Sequence, residues 1–169
     1  MKKSHFSWIL PISSFVLAIL VFLSLSRLLL VSWQFDRVSD TGGFWFVLFQ
    51  GIRFDLSLLA ILLVIPFALL PLLGIHQRSM SIALWVLKLY LLILTGVVVF
   101  LELATPNFIL QFDFRPNVLF LEYLKYPKEI ITMLVKGYPL QLLLAIILTA
   151  VALYGMNRLL NKTIEVVQP

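Results

Sequence analysis

Apolar residues in this chain come in four long runs, separated by short stretches that hold most of the charge. The runs are Trp8 to roughly Val31, a second between Phe44 and Leu73, Ser81 to Leu103, and Tyr138 to Leu160. A hydrocarbon core about 30 Å thick needs about 20 helical residues to cross it. Inside lipid a backbone must satisfy its own hydrogen bonds, and these runs are too long for barrel strands, so the pattern predicts helices. The expectation is an all-α integral membrane protein forming one membrane domain over 1–169, with spans near 8–31, 50–73, 81–103 and 138–160. Breakers mark the connectors: Asp40-Thr41-Gly42-Gly43, Gly74 to Ser79, and Thr105-Pro106-Asn107.

The second run, Phe44 to Leu73, would be about 45 Å long as one helix, more than the core requires. Its first turns are expected in the headgroup layer, which puts Arg53 and Asp55 near the hydrocarbon edge. Pro66 should kink or loosen this helix.

Between the third and fourth runs the polar positions Glu122, Lys125, Glu129, Thr132 and Lys136 recur at helical spacing. Leu121, Leu124, Ile130, Ile131, Met133 and Leu134 lie between them. That stripe predicts an amphipathic helical segment near 117–136 lying in the membrane interface, either one helix or two meeting at Tyr126-Pro127. Phe108, Phe112 and Phe114 with Tyr123 and Tyr126 suggest an aromatic collar at headgroup depth.

Composition strengthens the membrane reading. The chain is 62% hydrophobic and 12% charged, against about 45–50% and about 25% in soluble domains. Its net charge is +5, but the basic residues are scattered among apolar runs, unlike a nucleic-acid-binding patch, and are expected to meet anionic lipid headgroups. Without cysteine there are no disulfides and no thiolate chemistry. The first run is too long for the apolar part of a signal peptide, about 7–15 residues, and no small-residue cleavage site follows.

Charge counting leaves the topology nearly tied. With the N-terminus inside, the inner ends carry Lys2, Lys3, Arg78, Arg158 and Lys162, and the outer connectors Arg37, Arg115, Lys125, Lys128 and Lys136. Lys2 and Lys3 ahead of the first span tip the balance toward a cytoplasmic N-terminus.

No catalytic constellation stands out. His5 and His76 sit in or beside basic connectors with no carboxylate cluster nearby and read as solvated residues. There is no phosphate-cradling glycine loop, zinc pattern or nucleophile elbow, so no metal site and no catalytic residue is expected. Charges within the spans are costly, roughly 2.5–3.5 kcal/mol for Arg, Lys or Asp at a helix centre. Arg27, Asp55 and Glu102 read as a structural polar cluster, with Arg27–Asp55 and Arg53–Glu102 as possible interhelical pairs. Arg53 shares a helix face with Gln50 and Ser57 and is alternatively a contact for a lipid phosphate, with Arg115 and Lys125 as loop candidates. Lys88 falls toward the inner side, where its stem can snorkel.

Gly51-Ile52-Arg53-Phe54-Asp55-Leu56 resembles the second-helix signature of the lipoteichoic acid synthase-like membrane proteins, sulfatase-fold phosphoglycerol transferases and their Gram-negative relatives. Phe112-Asp113-Phe114-Arg115-Pro116-Asn117 and the segment from Glu122 to Ile130 are similar to the stretch before that family's fourth span, and Gly137-Tyr138-Pro139 to the way the span begins. The resemblance covers about 43–138. It implies a bacterial cytoplasmic membrane protein with the N-terminus and C-terminus of this chain both cytoplasmic. It also implies a fifth span and an external catalytic domain with a Thr nucleophile and a divalent metal such as manganese. None of those parts lies within this sequence, so the chain by itself is expected to be non-catalytic. The expected role is to anchor such a domain in cis and present a phosphoglycerol or phosphoethanolamine lipid to it. The alternative is a stand-alone four-helix accessory or assembly protein; a small transporter is disfavoured because no charge sits clearly at the midplane of two facing helices.

Overall fold

Helices form wherever lipid would leave backbone groups unsatisfied, and here they run longer than the apolar segments alone require. The computed structural model describes residues 9–40, 42–73, 77–113 and 127–167. Six helices are found among them: α1 (Ile9–Trp33), α2 (Phe35–Asp40), α3 (Phe44–Leu73), α4 (Gln77–Phe112), α5 (Pro127–Gly137) and α6 (Pro139–Val167). None of the described residues is in a strand. Four of the helices, α1, α3, α4 and α6, are long and apolar enough to cross a membrane. The chain is thus helical and multi-pass in character, as its hydrophobic runs predict.

Several boundaries differ from expectation. The connector after α1 is itself partly helical, as α2, which ends where Gly42 takes a positive φ of 62° and donates its amide to Ser39 O at 2.9 Å. That conformation is open to glycine at little cost. The break expected at Thr105-Pro106-Asn107 does not occur: α4 runs through Pro106 to Phe112. Long apolar helices tolerate an internal proline when local groups re-satisfy the backbone. Asp113 ends α4 in the left-handed region, φ 65°, its amide bonded to Ile109 O at 2.9 Å. The last helix also outruns its apolar segment, continuing through Asn157, Arg158 and Lys162 to Val167.

Among the described residues α5 begins at Pro127, and proline at a first helical position forfeits only an amide that had no partner there. α5 is the most amphipathic helix, with Lys128, Thr132 and Lys136 exposed. The remainder of the expected interfacial segment, 117–126, lies outside the described residues. Tyr138 alone separates α5 from α6, which starts on Pro139.

Two hydroxyl groups near the start of α1 fold back onto their own helix. Ser13 donates to Leu10 O and Ser14 to Pro11 O, at 3.0 and 2.9 Å, so these polar groups stay satisfied where water is scarce.

The chain divides into two compact units. One comprises 1–93 and 156–169, the other 94–155. In the first, α1 packs mainly on α3. Ile12, Phe15, Ile19, Leu23, Arg27 and Val31 form one buried stripe along α1 at helical spacing, and Asp55, Leu59, Leu63 and Leu70 form another along α3. Met156, Leu160, Ile164 and Val167 supply a third from the end of α6. In the second unit Val99, Thr105 and Phe108 of α4 are buried. There a methyl group added at Gly96 would meet Leu153 at 3.8 Å, an ordinary contact between α4 and α6.

Candidate lipid-headgroup site

The polar residues of the first unit fall on two sides of α3, and one ion pair decides which side faces what. Arg27 lies on the buried stripe of α1, and Asp55 on that of α3, 6% and 9% exposed. One guanidinium nitrogen, Nη2, donates to both carboxylate oxygens of Asp55, at 2.9 and 2.8 Å. Pairing offsets the cost of placing either charge alone in a low-dielectric surrounding. The other terminal nitrogen, Nη1, is buried with no hydrogen-bond partner among the described residues.

Gly51 makes this arrangement possible. It precedes Asp55 by one turn and so shares its face. The Arg27 guanidinium lies where a side chain at position 51 would have to sit. α1 and α3 can thus approach closely enough for Arg27 to reach over the bare backbone to Asp55. In the sequence the physical signal for this approach is a small residue four positions before an acid within an apolar run.

Directing Asp55 toward α1 sends Arg53 elsewhere. Two residues apart on a helix is about 200° of rotation, and Arg53 is exposed. Its Nη1 donates to Gln50 Oε1 at 3.1 Å, one turn toward the start of α3, and Ser57 donates to the Arg53 carbonyl at 2.9 Å. Long side chains on a helix lean toward its N-terminus, and the Gln50 contact shows Arg53 doing so. Measured back from Leu73, Arg53 lies about 20 residues, or about 30 Å, along α3, the thickness of a hydrocarbon core.

Above Arg53 on the same face stand Phe49 and Trp45, 65% and 66% exposed, with ring centroids 6.1 Å apart in a stacked arrangement. Phe44 packs edge-on against Trp45 at 5.3 Å. Phe46 and, at the end of α1 and the start of α2, Trp33 and Phe35 are also exposed. This aromatic set was not foreseen. The collar expected from Phe108 is corrected at that residue: Phe108 is 8% exposed and does not present its ring at the surface. The side chain of Phe112 and the residues Phe114, Tyr123 and Tyr126 lie outside the described set.

Of the remaining candidates, Glu102 is half-buried on α4 in the second unit and Lys88 half-buried on α4 in the first. Arg115, Lys125, His5 and His76 lie outside the described residues. Among the described residues no three His, Asp or Glu side chains gather where they could hold a metal ion.

A separate feature appears toward the other end of α3. Pro66 has no amide hydrogen, so the α-helical bond to Leu62 O cannot form. Tyr90 on α4 donates its hydroxyl to that same carbonyl at 2.7 Å. Beside this contact lies an apolar groove of about 420 Å³, lined by Ile65, Pro66, Leu69 and Leu70 of α3 and by Val86 and Tyr90 of α4, among others. Pro66 was expected to loosen the helix; its partner on α4 was not legible, because it depends on how the two helices face each other.

No protein-family model matches the chain, and no solved structure does. The functional reading therefore stands on the geometry and on the motifs of the sequence itself.

Proposed function

We propose that this chain is the membrane-embedded part of a lipoteichoic acid synthase-like cell-envelope transferase, anchoring a catalytic domain and presenting a lipid to it at the outer leaflet. In this reading the membrane is the bacterial cytoplasmic membrane, and both termini are cytoplasmic. The chain does no chemistry alone; a phosphoglycerol or phosphoethanolamine transfer belongs to the catalytic domain in cis, which would carry the metal.

The observation that carries the proposal is the placement of Arg53. It is exposed on the α3 face that carries the Trp45–Phe49 stack, with its guanidinium donating to the neutral amide of Gln50. A guanidinium offers a planar set of donors that binds a phosphate through two parallel hydrogen bonds. Tryptophan beside it suits the headgroup layer. An anionic phospholipid headgroup is the natural partner of such a group. Arg115 and Lys125 are further candidates, and α5, with Lys128 and Lys136 exposed, is suited to lie in a membrane interface.

Spin-labelled phospholipids test this directly. In bilayers containing the purified chain, phosphatidylglycerol should show a larger motionally restricted fraction than phosphatidylcholine. Equal fractions would count against the proposal.

A further inference from the structure

Pro66 sits inside a candidate span, toward the C-terminal end of α3, where it deprives Leu62 O of its helical donor. In water the freed carbonyl would be solvated; in a bilayer core it must find another donor or remain unsatisfied. Tyr90, half-buried, places its hydroxyl 2.7 Å from that very oxygen from the facing helix. Two prolines inside α3, Pro66 and Pro71, each release a carbonyl one turn back; the hydroxyl of Tyr90 meets the one released by Pro66, and these two residues also share the wall of the apolar groove.

We infer that Tyr90 and Pro66 form one device: the phenol replaces the missing amide and latches α4 to the weakened joint of α3. The proline gives the span a point of reduced internal bonding, and the tyrosine holds it closed. Release of the hydroxyl would free the joint and, because both residues line the groove, alter its wall. The latch belongs to the helix pair itself and does not depend on the lipid site at Arg53.

A double-mutant cycle in the full chain, reconstituted in bilayer discs, tests the inference. The readout is hydrogen–deuterium exchange across 58–70. Tyr90→Phe removes only the hydroxyl, and in the Pro66 background it should accelerate exchange roughly tenfold, as expected when a buried carbonyl loses its donor. In a Pro66→Ala background the new amide can bond Leu62 O, and the same tyrosine change should have less than about a twofold effect. Equal acceleration in both backgrounds would overturn the latch and leave Tyr90 as packing alone. Should Pro66→Ala fail to fold, a carbon-13, oxygen-18 label at Leu62 decides the matter in Tyr90→Phe alone. Its infrared carbonyl band should move to higher frequency on loss of the bond, and an unmoved band would overturn the inference.

Discussion

Arg27 fills the space that a side chain at Gly51 would need. This contact between α1 and α3 makes glycine a requirement of the ion pair and not simply of the helix. Gly51→Ala should therefore push the guanidinium off Asp55, strain the α1–α3 contact and cost about 3 kcal/mol. Gly155, helical and with open space where its side chain would point, is the control: Gly155→Ala should cost nothing, since alanine is the better helix former. Thermal unfolding of the two variants in the same detergent checks the contrast.

The pair itself should behave as buried charges do. Arg27→Met or Asp55→Leu alone leaves one uncompensated charge on a buried face and should destabilise by about 3–5 kcal/mol. The double variant leaves no charge and should recover most of that loss. Unfolding midpoints of the three variants measure it; additive single effects would mean the two side chains do not act as a pair.

Four spans were legible because bilayer thickness imposes a run of about 20 apolar residues that no soluble fold needs. Their ends were less legible. α4 passes Pro106, and α6 carries Arg158 and Lys162, because a helix already formed continues until a residue such as Asp113 turns the chain. Charge allowed the pairing of Arg27 with Asp55, and the structure forms it. Knowing that it forms requires knowing which helix faces α3, and periodicity within one helix says nothing of its neighbour. The same limit hid Tyr90, and it led Phe108 to be counted with the headgroup aromatics although it is buried.

The proposed topology places the α1–α3 connector outside and the end of α6 in the cytoplasm. The chain has no cysteine of its own, so single cysteines report cleanly. Ser39→Cys should react with a membrane-impermeant maleimide in intact cells, whereas Lys162→Cys should react only after permeabilisation. Both positions are exposed in the structure. The opposite pattern would invert the chain and move Arg53 to the inner leaflet.

If Arg53 holds a lipid phosphate, lipid retention in native mass spectrometry depends on its guanidinium. The purified chain is loaded with phosphatidylglycerol, and the bound lipid is counted in wild type, Arg53→Lys and Arg53→Gln. Lysine keeps the charge but loses the two-pronged donor geometry, so retention should fall roughly tenfold or more in Arg53→Lys and further in Arg53→Gln. Loss of one or two charged hydrogen bonds, about 1.5–3 kcal/mol each, sets that scale. The unfolding midpoint should stay near wild type, because Arg53 lies away from the Arg27–Asp55 contact. Unchanged phosphatidylglycerol retention in both variants would contradict the account.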